Sequence, residues 1–426
     1  MEGNCLEAIP VLNPAPPTLT LSKAQGSLLG GAALPWRTAC RVTRPPALQT
    51  RVSVIVPVRN EAETLPSTLG ALANQVDFQG QALAPDSYEI IVFANNCTDH
   101  SAALVRQFAQ QHPQLQLHLI EQTLPPAEAH IGRVRQILMD EACQRLRWVG
   151  IPKGAIASTD GDSRVDRHWI AAMRYEIDRG ADALGGRTVT DRAERAALDA
   201  ATRTSYLRFV GYRYLIKQLE DYLDPDPFDR APRHYQFFGA NFAVTYEMYA
   251  RAGGMPPVPT AEDVTFHRAL VRAGARVRHS PLMRVTTSAR QCGRASLGLA
   301  DRLSQFQTLG QTQQSFLVEP AAAIEAKLLA RGDLRRYWQH YVNGPSLSVL
   351  APPELVQLAT RLAVPIAALQ QAVALASSWG DLYQRVEQCQ QETGLWQQQW
   401  GTVAIDRAIA DLRLRLNHLR HPADRS

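Results

Sequence analysis

Gly154-Ala155-Ile156-Ala157-Ser158-Thr159-Asp160-Gly161-Asp162-Ser163 is a small apolar segment that ends in two carboxylates separated by one glycine. Residues 154–157 suit a short buried strand, and Asp-Gly is a turn signal that lets the backbone close tightly around a ligand. Two neighbouring carboxylates repel unless a positive charge sits between them. A hard divalent cation, Mg²⁺ or Mn²⁺, prefers carboxylate, water and phosphate oxygens and suits that place. Taken alone, the triplet also describes a solvated turn. It is not an EF-hand loop, because Val165 and Ala171 stand where that loop needs glycine and glutamate.

Upstream of this turn the chain alternates strand and helix. Arg51-Val52-Ser53-Val54-Ile55-Val56-Pro57 is a β-branched run suited to a buried parallel strand, and Leu65, Leu69 and Leu72 follow at helical spacing behind Asn60, Glu61 and Glu63. Tyr88 to Ala94 and Leu115 to Ile120 read as the next strands, with helices over Ala102 to Ala109 and Gly132 to Arg147. Such βαβα order predicts a mostly parallel sheet flanked by helices, with its ligand at the strand C-terminal ends. Pro57 to Glu61, Asn95 to Asp99 and Asp160 to Asp162 stand at three such ends and are expected to share one crevice. Neither a G-x-G-x-x-G after the first strand nor a P-loop is present to explain it.

Downstream, Trp169 to Asp178 reads as a helix, Ala183 to Arg187 as a strand entering the site, and 191–235 as a charged helical segment. That segment is either a solvated insertion or an acceptor-side wall. Phe237 to Val244 is a compact stretch containing Gly239 and Asn241, and Glu262-Asp263 opens a helix. From about residue 320 the chain turns to Ala, Leu and Gln with four tryptophans, an appended helical domain broken near Gly344-Pro345 and Pro352-Pro353. The expected organisation is an irregular, proline-rich N-terminal arm over 1–50, an α/β domain over 51–310 in two halves (51–165 and 166–310), and C-terminal helices over 311–426.

A chain of 426 residues with 45% hydrophobic content can bury a full core. Lys plus Arg exceeds Asp plus Glu by only 45 to 40, too little to argue for nucleic acid. The six cysteines form no C-x-x-C pair, so reduced thiols are expected and neither a disulfide framework nor a zinc site is suggested. With no basic n-region before an apolar run and no apolar stretch of membrane-spanning length, a cytoplasmic protein without a transmembrane segment is expected.

Together these motifs resemble those of a family 2 glycosyltransferase of the GT-A fold, from about Val52 to Arg294. Pro57-Val58-Arg59-Asn60-Glu61 resembles the family's P-x-x-N-E turn against the donor nucleotide. Asn95-Asn96-Cys97-Thr98-Asp99 is similar to its second nucleotide loop, and Gly132-Arg133-Val134-Arg135 to the stretch whose arginine approaches the donor. Asp160-Gly161-Asp162 takes the place of the D-x-D metal motif, and Glu262-Asp263 that of the pair carrying the base. The resemblance implies an inverting, metal-dependent transfer of a sugar from a nucleoside-diphosphate donor to an acceptor hydroxyl. Asp162 is then the direct Mg²⁺ or Mn²⁺ ligand, with Asp160 binding the metal through water or the ribose. Asp263 is the base, and Glu262 orients the acceptor.

Pro57, Asn60, Glu61, Asn95, Asp99, Arg135, Asp160 and Arg290 are expected at the donor, and Gly239 and Asn241 at the acceptor. Arg294 joins Arg290 as a candidate for the diphosphate. The acceptor itself, a small molecule, a lipid-linked group or a glycan, is not legible. Ala94 stands where an acid usually reads the base, which leaves uracil, guanine and thymine nucleotides open. The histidine ligand of many GT-A enzymes falls near Thr287, and the nearest histidine is His279. The alternatives are a GT-A-like sugar-nucleotide nucleotidyltransferase, against which the missing glycine-rich Arg/Lys loop speaks, and a binding domain without turnover, against which the intact acids speak.

Overall fold

A computed structural model describes residues 41–291, 293, 298–343 and 352–421. The first forty residues of the expected arm, Arg294 and the break at Gly344-Pro345 lie outside the described residues. The first half runs β1 (Val52–Val58), α1 (Leu65–Ala73), β2 (Tyr88–Asn95), α2 (Ser101–Gln111), β3 (Gln116–Gln122), α3 (Ile131–Val149) and β4 (Ala155–Ser158). Every residue of β1 and β2 is buried, which is why both read as unbroken apolar runs. Alternate side chains serve opposite faces. Val52, Val54, Val56, Ile90 and Val92 pack with Leu65 and Leu69 of α1, while Ile55, Ile91 and Phe93 pack with Ile137 and Leu138 of α3.

The second half adds β5 (Ser163–Val165), α4 (Trp169–Asp178), β6 (Ala183–Thr190), α5 (Arg192–Ala197), α6 (Ala200–Leu223), β7 (Phe242–Thr245), α7 (Tyr246–Arg251), α8 (Glu262–Arg272) and β8 (Val277–Thr287). The eight strands form one sheet in the order β3-β2-β1-β4-β7-β6-β8-β5. Pairing is parallel among β3, β2, β1 and β4 and between β6 and β8. It is antiparallel for β7 against both β4 and β6 and for β5 against β8. From β1 the chain builds outward to β3, then returns through α3 to lay β4 on the other edge of β1. That reversal opens a crevice beyond the carboxyl ends of β1 and β4, the ends that carry Asn60-Glu61 and Asp160-Gly161-Asp162.

The C-terminal region holds α9 (Leu299–Gln311), β9 (Leu317–Val318), α10 (Ala321–Asn343), α11 (Pro352–Arg361), α12 (Ile366–Leu375), α13 (Trp379–Thr393), α14 (Leu395–Gln399), β10 (Val403–Ala404) and α15 (Ile405–Arg420). It is helical as expected, apart from a two-stranded β9–β10 pair. The core does not divide at residue 311. Tyr212 and Leu219 of α6 are buried with Ile324 and Leu328 of α10 and with Ala408 and Leu412 of α15. The long helix of the 191–235 segment therefore contributes to a shared core and is not a solvated insertion. Among the described residues no single helix is long and apolar enough to cross a membrane.

Candidate functional site

The turn that opens the chemistry is held from below. Ser163 N–H donates to the Asp160 carbonyl, closing a four-residue turn, and the Gly161 carbonyl accepts from Thr64 Oγ1 and Thr68 Oγ1 at 3.1 and 3.0 Å. Helix α1 thus fixes both aspartates against the end of β1. On the neighbouring strand end, Asn60 takes a left-handed conformation (φ 57°), which asparagine tolerates better than most residues. Its Oδ1 accepts from Thr98 N–H at 2.7 Å and its Nδ2 donates to Thr98 Oγ1 at 3.1 Å. Asp99 accepts from Ala62 N–H and Ser101 N–H, both at 3.0 Å, and Glu61 N–H donates to Ser101 Oγ at 2.9 Å. The Pro57–Glu61 turn and the Asn95–Asp99 loop are therefore one braced unit, and both carboxylate oxygens of Asp99 serve that brace. Asn95 ends β2 with its side chain buried.

Across the crevice α8 begins at Glu262, directly after Ala261 in a left-handed conformation (φ 53°). Such backbone costs about 1–2 kcal/mol outside glycine and starts the helix with both acids in its first turn, where the helix dipole favours negative charge. Arg135, 3% exposed on α3, spans the gap. Its guanidinium pairs with Asp160 on one side and Glu262 on the other, and its Nε donates to Ser158 Oγ at 3.3 Å. Ser158 Oγ donates in turn to the Gly239 carbonyl at 2.7 Å, and Gly239 N–H donates to Asp263 Oδ2 at 2.8 Å. Arg135 occupies the space a Cβ at residue 239 would need, so the close approach requires glycine. A second guanidinium, Arg290, reaches Asp162 at 3.0 Å and bonds both oxygens of Glu61 at 2.9 and 3.0 Å.

Five carboxylates, Glu61, Asp160, Asp162, Glu262 and Asp263, thus meet two guanidinium groups. The surplus of negative charge shows in their acidities. Burial, reinforced by Asp160 and Glu61 against the pull of Arg290, pushes the Asp162 carboxyl up to about 6. Burial likewise lifts Glu262 to about 7 despite Arg135, and raises Asp263. Among the described residues no three His, Cys, Asp or Glu side chains converge as a ready ligand set. A cation here would draw at most two carboxylates from the chain, its other ligands being phosphate and water oxygens, the pattern usual for Mg²⁺.

Three candidates from the sequence have structural partners of their own. Asn241, expected at the acceptor, is fully buried. Its Oδ1 accepts from Trp169 Nε1 at 2.8 Å and its Nδ2 donates to the Met283 carbonyl at 3.2 Å, so it ties β7 to α4 and β8. Arg135, expected to approach the donor, bridges Asp160 and Glu262. His279 bonds Asp229 through Nδ1 at 2.7 Å and meets His234 edge-on and His267 at a tilt, with neither Asp160 nor Asp162 among these partners. Thr287, where the resemblance places a histidine, accepts from Ser163 Oγ at 3.0 Å. Ser158 and Ala261 were missed: the first looks like the end of a small apolar strand, and nothing in the sequence marks the second.

Residues 53–129 match the family described as glycosyl transferase family 2. No curated protein sequence matches the chain. Among solved structures, residues 1–349 of TarS from S. aureus are similar at 14% identity and TM-score 0.40, over 81% of this chain and 92% of that one. The mannosyltransferase PcManGT from Pyrobaculum calidifontis, in complex with GDP-Man and Mn²⁺, is similar at 18% identity and TM-score 0.39 over 92% of both chains. TarS has also been solved with UDP-GlcNAc. At these identities and scores the likeness carries nothing about the donor or acceptor of this chain.

Proposed function

We propose that this chain, a family 2 glycosyltransferase by the match of its first three strands, is a metal-dependent enzyme that transfers a sugar from a nucleoside-diphosphate donor with inversion to an acceptor hydroxyl. The observation that carries this reading is the Arg135 bridge. It joins an acidic turn at the topological switch point to an acidic pair on the facing helix, so that a donor-side and an acceptor-side carboxylate pair are held in one rigid frame.

The residues present fit a divalent cation. The carboxylates outnumber the guanidinium groups that neutralise them, and burial already penalises the Asp162 charge. Asp162 and Asp160 would hold the metal. When bound, such a cation neutralises the diphosphate and the charge that grows on the leaving oxygen. The protein's own groups do the rest. The braced Asn60 and Asn95–Asp99 unit borders the nucleotide. Asn95 Oδ1 and Thr159 Oγ1, both buried at strand ends, have no hydrogen-bond partner among the described residues, an unmet demand a ligand can answer. Arg290, paired here with Glu61 and Asp162, would turn its fork to the phosphate oxygens once a cation takes up the Asp162 charge. Asp263, oriented by Gly239 N–H, takes the proton of the attacking hydroxyl, and its raised affinity for protons suits a base. Attack from the Asp263 side, opposite the diphosphate, inverts the anomeric carbon.

Calorimetry with UDP-, GDP- and dTDP-sugars, with and without Mn²⁺, tests the reading. One nucleotide class is expected to bind at least ten-fold more tightly with the metal, and Asp162→Asn to abolish that difference. Binding indifferent to metal sinks the cation's role, and absence of sugar transfer from every donor sinks the enzyme.

A further inference from the structure

Helix α8 is gripped at both ends. Its N-terminal turn carries Glu262 and Asp263, and one face packs into the sheet through Phe266 and Leu270, both fully buried. Its opposite face and its C-terminus meet α13. A helix leaves its last carbonyls without partners inside the helix. Those of Ala269, Leu270 and Val271 accept from the following residues Ala273, Ala275 and Gly274. The Arg272 carbonyl instead accepts from Ser378 Oγ, at 2.7 Å, and the same hydroxyl accepts from Asp381 N–H at 3.0 Å to cap α13. One side chain thus ends α8 and starts α13.

The contact continues along one stripe of α13, at the spacing that shares a helix face. Gly380 lies so close to Val271 that its carbonyl fills the place of a Cβ. Gln384 Nε2 donates to the Arg268 carbonyl at 2.9 Å and its Oε1 accepts from Arg272 Nη1 at 3.2 Å. One turn further, Glu387 lies within the field of Arg268 and of Arg331 on α10. The other side of α13, Leu382 and Val386, is buried with α10, α11 and α12. The C-terminal helices are therefore anchored as a body before they touch α8.

We propose that α13 positions the acceptor-side acids: by fixing the C-terminal end of α8 it sets the depth of Glu262 and Asp263 in the crevice, so that the C-terminal helices serve the transfer step without touching either substrate. This inference rests on the transferase reading for its consequence and on the α8–α13 contact for its geometry. A helix of eleven residues is about 16 Å long and moves as a rod, and a 1 Å misplacement of reacting groups can cost about 100-fold in rate. Ser378, Gly380 and Gln384 are positioning residues, and none lies at the nucleotide crevice.

The test uses the full chain with Gly380→Leu, Ser378→Ala and Ser378→Thr. Three readouts are taken: hydrogen exchange of the Glu262–Arg272 amides, affinity for UDP and GDP in Mn²⁺, and kcat with UDP-GlcNAc and GDP-mannose. Gly380→Leu is expected to lower kcat about 10- to 100-fold and to speed exchange in α8 more than in β1 and β2, with nucleotide affinity within two-fold of the wild type. Ser378→Ala is expected to act in the same direction more weakly, and Ser378→Thr, which keeps the hydroxyl, to restore both. Unchanged α8 exchange in Gly380→Leu and Ser378→Ala overturns the inference, as does a loss of nucleotide affinity equal to the loss of turnover. A wild type that neither binds nucleotide nor transfers sugar overturns the functional reading, and the exchange measurement then still decides the grip of α13.

Discussion

Asp263 and Glu262 are neighbours in sequence with different fates. Glu262 is 5% exposed and paired with Arg135. Asp263 is half-buried and, among the described residues, its oxygens accept from the backbone N–H groups of Gly239 and Val264, each at 2.8 Å. The first is locked as half of an ion pair, and the second is fixed in direction while remaining open to a proton. That division supports Asp263 as the base and Glu262 as the strut. Asp263→Asn keeps the shape and the Gly239 contact but cannot take a proton, so turnover should fall about 100- to 10,000-fold with nucleotide affinity in Mn²⁺ unchanged. Steady-state rates beside calorimetry check this, and transfer at near wild-type rate would move the base elsewhere. Arg135 is the residue whose meaning sequence alone most distorts. An arginine near a phosphate site reads as a phosphate ligand, but three buried or half-buried acids, Asp160, Glu262 and Asp263, surround this one, and only tertiary structure shows it facing them.

At the scale of elements, legibility followed the length of the apolar signal. β1, β2 and α4 were readable because seven to ten residues repeat one pattern. β5, with three residues, and β9 and β10, with two each, are too short to carry a period. The acidic turns were legible because carboxylates at strand ends are unusual, whereas the burial of Asn241 was not, since a polar residue two positions after glycine reads as exposed. The seam between β8 and the segment that joins α6 to β7 shows a further hidden property. His234 is 1% exposed, its Nε2 bonding the Ser280 carbonyl at 3.1 Å and its Nδ1 accepting from Gln236 N–H at 3.1 Å. Burial, with the nearby His279 adding to it, depresses its pKa to about 3. An unfolded histidine titrates near 6.5, so between about pH 6.5 and 3 the unfolded chain holds a proton that the folded chain refuses. Stability is then lost as pH falls through that window. Asp229, which His279 and Arg233 hold far below the usual carboxylate range against burial, adds a loss of the same sign once pH drops below about 4. Urea unfolding at pH 7.5 and 4.5 should show the decline, and His234→Gln should flatten it. An equal slope in the variant would assign the acid sensitivity to other groups.

For the whole molecule, what matters is that the chain interleaves its two cores. Helix α6 lies in sequence between β6 and β7, strands of the one sheet, yet Tyr212 and Leu219 on it complete the cluster of α10 and α15. Helix α13, from the far end, closes on α8. These contacts tie a helix of each core to the other, which predicts that the boundary composition suggests near residue 311 is not a boundary of stability. The expectation is a single cooperative unfolding transition, with damage to the C-terminal helices felt in the sheet. Leu412 on α15 is fully buried in the shared cluster, and truncating such a leucine costs about 2–5 kcal/mol. Leu412→Ala should therefore lower the midpoint of β1 and β2 unfolding, followed by hydrogen exchange of residues 52–58 and 88–95, by the same amount as that of α15. Two separate transitions, with the sheet's midpoint unmoved, would mean that the helices ride on an independent catalytic domain, and the grip of α13 on α8 would then be too weak to place the acids that α8 carries.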